Sequence, residues 1–277
     1  GRAIEQIMGL QGLIIEMGFF HISARIIIII ALFAIAGLYS IHGGMTSVAW
    51  TDVMQVVFII GGGFATAYYA LLAVAGDDGS ISEGFQKLCN FAIDREYAKD
   101  DHFHLIIQES HNASAYDNVP GIAAIVGGLW LTNLCYWGFN QYITQKGLAA
   151  YSIHEAQKGF LFAGMLKILM PFIVLIPGIC AFYITQYGDT NLQDTIKVSD
   201  EAYPWFIKNF MPTGIKGLSF VALAAAVISS LASMLNSTST IFTIDIYRKY
   251  INHEASDRKL VVMGRTAAIL ALLIALI

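Results

Sequence analysis

Apolar residues in this chain come in long unbroken runs, not in the three-and-four spacing of a helix lying on a soluble core. Six runs are long enough to cross a bilayer, at residues 26–43, 46–75, 119–145, 159–184, 214–246 and 260–277. A crossing takes roughly 20 residues, because each helical residue advances 1.5 Å through a hydrocarbon core of about 30 Å. Inside that core every backbone N–H and C=O must be bonded within its own segment, so the runs are predicted to be helices. The strands of a membrane barrel would read as shorter alternating segments, and the sequence has no such pattern.

Polar punctuation organises the rest. Residues 1–25 read as the end of a preceding helix and a connector with a glycine break, and residues 26–277 as a partial membrane core. Gly43-Gly44 predicts a tight turn between the first two runs, where a missing Cβ permits positive φ. Two long loops, about 77–119 and 187–213, separate later runs, and the first is rich in acids (Asp77, Asp78, Glu83, Asp94, Glu96, Asp100, Asp101, Glu109, Asp117). Lys and Arg gather in the short segments 146–158 and 247–265, which predicts those segments on the cytoplasmic side and the long loops outside. Asn112-Ala113-Ser114 on the outer loop matches a glycosylation sequon. The chain opens at Gly1 without a methionine and stops at Ile277 within an apolar run, so the expectation is a piece of a longer protein.

Composition agrees with this reading. The 277 residues are 56% hydrophobic and 13% charged, against about 25% charged for a soluble domain. A net charge of −4 without a basic cluster argues against a nucleic-acid partner. Cys89, Cys135 and Cys180 lack metal-ligand spacing, and the seven histidines fall mostly in loops. No nucleophile, base and orienting group stand together, so no enzymatic chemistry and no cofactor are expected.

Polar groups inside the apolar runs carry the most information, because lipid tolerates them only where they face the bundle or a watery cavity. In the third run Asn133, Tyr136, Trp137 and Asn140 follow the spacing 0, 3, 4, 7, one face of an α-helix. An amide, a phenol and an indole on one stripe suit a polar ring-shaped solute; they equally suit a polar seam between packed helices. Lys167 lies within the fourth run, about eight residues beyond the basic loop. It either snorkels to the interface or donates to a solute in a cavity. Pro171 and Pro177 predict kinks beside it. In the fifth run Ser229, Ser233, Asn236, Ser237 and Thr240 make a polar stripe below the small residues Ala222 to Ala226, with Ser230 adjoining. Hydroxyls and a carbonyl are hard oxygen ligands for a cation such as sodium, while close packing with serines bonded to their own helix is the alternative. Thr51 and Asp52 near the start of the second run read either as a helix N-cap or as a cation waypoint at the inner mouth.

The stretches YSIHGGMTS (39–47), WTDVMQ (50–55), GGLWLTNLCYWGFNQYITQ (127–145) and ALAAAVISSLASMLNSTSTIFTIDIY (222–247) resemble the sodium/solute symporter family, and within it the branch that carries galactose and glucose. The likeness runs over about residues 26–277 apart from the outer loop at 77–119 and parts of 187–213. It implies an all-α membrane protein, a fragment of an inverted-repeat core of five plus five helices, here the fourth through ninth. By the resemblance, Asn133 and Lys167 bind sugar hydroxyls, with Trp137 and Asn140 on the same stripe as Asn133. Tyr136 stacks beneath the sugar as an inner gate. Ala226 (through its carbonyl), Ser229 and Ser230 supply part of a sodium site, and Asp52 lies on the sodium exit path. The first, second and tenth core helices would complete both sites. The implied partners are the sugar, the sodium ion, the bilayer and those further helices, and the implied location is the cytoplasmic membrane. Another solute such as inositol, or a solute sensor built on the same core, are the rival expectations.

Overall fold

The computed structural model describes residues 1–17, 20–93, 116, 121–187, 196 and 199–276. A short helix α1 (Arg2–Ile7) leads into an antiparallel hairpin of β1 (Ile14–Met17) and β2 (Phe20–Ser23), in which Ile14 pairs with Ser23. The first 25 residues therefore hold a paired hairpin as well as a helix end. The Arg25 Nε donates to the buried Glu5 carboxylate at 2.8 Å and ties α1 to the start of the next helix.

Helix α2 (Ala24–Ala75) contains the first two apolar runs and is too long to cross a bilayer straight, at about 1.5 Å per residue. It breaks at Gly44, whose φ of 57° and ψ of −155° lie outside the helical region and favour glycine. The expected break between the first two runs is therefore present, as a kink at Gly44 that joins two helical legs. Ala36 before the bend and Val48 after it both join Ala232 in one buried cluster, so the chain doubles back around a single point of the later helix α9 (Thr213–Thr240).

Three helical stretches are long and apolar enough to cross a membrane: Ala24–Ala75, Ile153–Thr185 and Thr213–Ile251. They contain four of the six predicted runs. The second is divided into α6 (Ile153–Lys167) and α7 (Met170–Tyr187). The helical partner of the Lys167 carbonyl would be the N–H of residue 171, and Pro171 has none, so the ladder opens there. The third continues beyond Thr240 as a wider π-helical stretch, Ile241–Ile251. The remaining runs are also helical. The sixth forms α10 (Asp257–Ala275). The third is segmented: π-turns at Ala124–Gly128 and Cys135–Phe139 flank α4 (Leu129–Leu134), and after a break at Asn140 comes α5 (Gln141–Leu148).

Helices α2 and α9 are the centre of the bundle and run antiparallel. Asp52 meets Ser229, whereas Gly62 lies beside Ala222 and Thr66 bonds to Ser219 at 3.0 Å. Small residues make this approach possible: a Cβ on Gly62 would meet Ala222 at 2.9 Å, and Ser219, Ala222, Ala225 and Ala232 are buried on α9.

One end of the bundle is closed by elements that the hydropathy pattern reads as loops. Helix α3 (Ile81–Ile93) lies within the predicted loop 77–119 and buries Leu88 and Phe91. Its Lys87 ammonium donates to the carbonyls of Val74 (3.3 Å) and Ala75 (2.7 Å), capping the end of α2 with a cation. Helix α8 (Ala202–Phe210) lies within the predicted loop 187–213 and buries Trp205, Phe206 and Ile207 against α2 and α7. The sequon and the acids from Asp94 to Asp117 lie outside the described residues.

Helix packing at Gly63 generates a stability prediction. A Cβ there would sit 2.1 Å from Cγ2 of the buried Ile173 on α7. Gly63→Ala is expected to destabilise by about 1–3 kcal/mol, as overpacking does. A Cβ at Gly217 meets nothing within 4 Å, so Gly217→Ala is expected to be neutral or to stabilise by up to about 1 kcal/mol. Paired melting curves in one detergent check the contrast.

Candidate functional site

Three helices converge on the carboxylate of Asp52. On α2 it lies two turns past the Gly44 bend, inside a continuous helix, so it does not occupy an N-cap. Thr51 beside it bonds back to the carbonyls of Ser47 (3.1 Å) and Val48 (2.9 Å), which is also an interior habit. Ser229 on α9 donates its hydroxyl to Asp52 Oδ1 at 2.5 Å, and Lys146 on α5 donates its ammonium to Oδ2 at 2.5 Å. The Asp52 side chain is 17% exposed. An acid so enclosed in a membrane bundle needs a partner on each oxygen, and it has one.

Around it the two legs of α2 reach the same turns of α9. Tyr39 donates to the Ile228 carbonyl at 3.2 Å and Ser40 to the Ala232 carbonyl at 3.3 Å. Gln145, next to Lys146, is buried and donates to the Ser233 carbonyl at 3.2 Å. Of the predicted sodium ligands, Ala226 and Ser229 are half-buried on this stretch of α9 and Ser230 is exposed. Among the described residues the buried side-chain oxygens of Gln55, Ser233 and Thr243 have no hydrogen-bond partner. Gln55 and Ser233 belong to the same two helices as the Asp52–Ser229 contact.

Three of the predicted solute residues, Tyr136, Trp137 and Lys167, form a second cluster. The Lys167 ammonium stands over the Trp137 ring, 4.0 Å from its centroid. Tyr136 packs edge-on against Trp137, with centroids 5.2 Å apart, and shares a short hydroxyl–hydroxyl bond with Tyr142. The consecutive third and fourth apolar runs therefore meet at this aromatic group, and Lys167 is the last residue of α6, next to the Pro171 break. The stripe itself is changed from its 3.6-residue form. Asn133 is in α4, and one amide N–H donates to the Leu129 carbonyl at 2.8 Å. Tyr136 and Trp137 lie on the wider π-turns, and Asn140 sits at the break with φ −79° and ψ 115°. Residues 126–139 are all exposed on this chain.

Sequence reasoning missed Lys146, which it assigned to a short basic loop, and with it Gln145, Tyr39 and Tyr142. Lys146 is 94 residues from Asp52. A lone basic residue at a helix end has many possible partners, and nothing in its neighbourhood selects this one.

The sequence profile of the sodium:solute symporter family matches residues 5–277. The chain is 47% identical to the sodium/glucose cotransporter of Vibrio parahaemolyticus over 285 aligned residues, covering 99% of this chain and 48% of that protein. It is 31% identical to the sodium/myo-inositol cotransporter 2 of Rattus norvegicus, over 90% of this chain and 38% of that protein. Its fold is similar to that of a sodium-coupled sialic acid symporter solved in a substrate-bound, outward-open state, with a TM-score of 0.75 and 23% identity, covering 99% of this chain and 53% of that one. The chain thus spans about half the length of the curated relatives it matches. On the profile match across nearly all of its length and the identity to the bacterial cotransporter, the chain belongs to the sodium:solute symporter family.

Proposed function

We infer that this chain supplies the central helices of a sodium-coupled symporter for a sugar of the glucose or galactose class, a multi-pass protein of the cytoplasmic membrane. The observation that carries the reading is the Lys167 ammonium over Trp137, whose ring packs on Tyr136 and through it on Tyr142, in a chain 47% identical to a sodium/glucose cotransporter. An ammonium beside aromatic rings packed edge to face suits a polyol ring. The aromatics cover its C–H face, while the ammonium and the free side of the Asn133 amide donate to and accept from its hydroxyls. Asn140 and the rest of the stripe would extend that polar surface. Tyr136, bonded to Tyr142, is suited to closing the inner side of the pocket.

On this reading sodium binds through the Ala226 carbonyl and the Ser229 and Ser230 hydroxyls, and leaves past Asp52. Further helices of the same transporter complete both sites. Coupling is energetically sufficient: one charge crossing 100 mV releases about 2.3 kcal/mol, and a tenfold sodium gradient adds about 1.4 kcal/mol. Together these sustain an accumulation on the order of several hundredfold. No covalent step is involved.

The direct test is uptake of radiolabelled galactose and glucose by the full-length transporter in proteoliposomes, with and without an inward sodium gradient. Sodium-independent uptake would reject the coupling. The likeness to myo-inositol cotransporters favours a second solute, and competition by myo-inositol at equal concentration ranks the two.

Two predictions follow from the residue assignments. Asn133→Ala and Lys167→Ala are each expected to raise the half-saturating sugar concentration, Lys167→Ala by tenfold or more, because a hydrogen bond from a charged donor is worth about 1.5–3 kcal/mol. Unchanged half-saturation in either variant removes that residue from the pocket. The double variant Ser229→Ala/Ser230→Ala loses two oxygens with little change in volume. It is expected to need about tenfold more sodium, a loss of ~1.4 kcal/mol, and to melt somewhat lower, because Asp52 Oδ1 loses the Ser229 donor. A lowered melting temperature with an unchanged sodium midpoint would instead mark the serines as packing residues.

A further inference from the structure

We propose that Lys146 is a tethered counter-cation that competes with sodium for the Asp52 carboxylate, and so sets how tightly the inner end of the pathway holds the ion. The proposal rests on the reading above, in which sodium leaves past Asp52.

The geometry leaves the carboxylate little spare capacity. One oxygen accepts from Ser229 and the other from Lys146, both at 2.5 Å. Ser229 is neutral, so among the described residues the compensating charge at this acid comes from Lys146. A sodium ion that reaches Asp52 through the Ser229 side has to draw the same carboxylate away from an ammonium already on it. Conversely, return of the ammonium to the carboxylate helps to release the ion.

The position of Lys146 is not left to a flexible loop. Gln145 before it is buried and bonded to the Ser233 carbonyl of α9. Gly147 after it lies so close to α6 that a Cβ there would meet the Phe160 ring at 2.4 Å. Helix α5 is therefore pinned to α9 on one side and to α6 on the other, with Lys146 directed at Asp52 where α2 meets α9. The Lys146 side chain is 40% exposed. The ammonium can thus leave Asp52 for water without an uncompensated burial of charge, as a reversible competitor requires. This makes Lys146 a positioning residue, acting on the ion through Asp52.

The test measures half-saturating sodium and maximal rate of sugar uptake by the full-length transporter in proteoliposomes, beside sodium-dependent melting of the same purified protein. Lys146→Met is expected to lower the half-saturating sodium concentration about fivefold, in line with the strength of a partly exposed ion pair, and to lower the maximal rate because release is slowed. Lys146→Arg, which keeps the charge, is expected to restore the midpoint toward wild type. In an Asp52→Asn background, Lys146→Met is expected to shift the midpoint no further. Should Lys146→Met not reach the membrane, Lys146→Gln keeps a donor without the charge and is read in the same way. A sodium midpoint unchanged or raised on loss of the charge, or an equal shift in the Asp52→Asn background, overturns the competition while leaving sodium coupling intact. Wild-type uptake and melting that ignore sodium altogether overturn the coupling reading itself, and this proposal with it.

Discussion

The close approach of α2 and α9 is the contact on which the rest of this structure depends. In lipid there is no hydrophobic drive to press two apolar helices together, so association rests on packing and on hydrogen bonds between helices. Both are concentrated here. Gly62 and Gly63 let α2 come within van der Waals range of its neighbours. Thr66 and Ser219 bond to each other in a fully enclosed position, and Asp52 bonds to Ser229 farther along the same seam. The polar groups on the seam have value because water and lipid cannot replace their partners there.

The Gly44 bend turns this pair of helices into a site. A straight helix would place Tyr39 and Ser40 far from the turns of α9 that Val48 and Asp52 touch. With the bend, residues before and after it reach Ile228, Ser229 and Ala232 together. Two legs of one helix, the small-residue face of another and the end of α5 then enclose a single carboxylate. The aromatic group around Lys167 is built on a different principle. Its members come from helices interrupted by π-turns, by the Asn140 break and by Pro171, where the regular ladder opens. Helix interruptions of this kind are how membrane transporters bring backbone and side-chain polar groups to a solute at depth.

Much of the architecture was legible in the chain. Long apolar runs leave helices as the only way to satisfy the backbone, and all six predicted runs contain helix. Gly44 and Pro171 act through their own covalent structure, one lacking a Cβ and the other an N–H, so their effects could be placed to the residue. The helices α3 and α8 were read as loops because a hydropathy window registers only spans. Their own periodic apolar residues, such as Leu88, Phe91 and Ala92 in α3, held a shorter-range signal. The even stripe from Asn133 to Asn140 was distorted because it assumed 3.6 residues per turn through a segment that widens.

What the sequence determined by itself is what each residue does to its own backbone and to the solvent around it: which segments span, where they bend or break, and which polar groups lipid would not tolerate. Those are local properties, carried by hydropathy, by glycine and by proline. The tertiary structure decided which partner each polar group takes. Asp52 had a plausible local role as a helix cap, yet its position inside a continuous helix excludes that role, and its oxygens are claimed by Ser229, 177 residues away, and Lys146, 94 residues away. Partners at such separations are selected by how close small residues let the helices come and by how the bend turns one leg onto the other. That choice is a property of the packed bundle, because a buried charge takes whichever opposite charge the packing brings within reach.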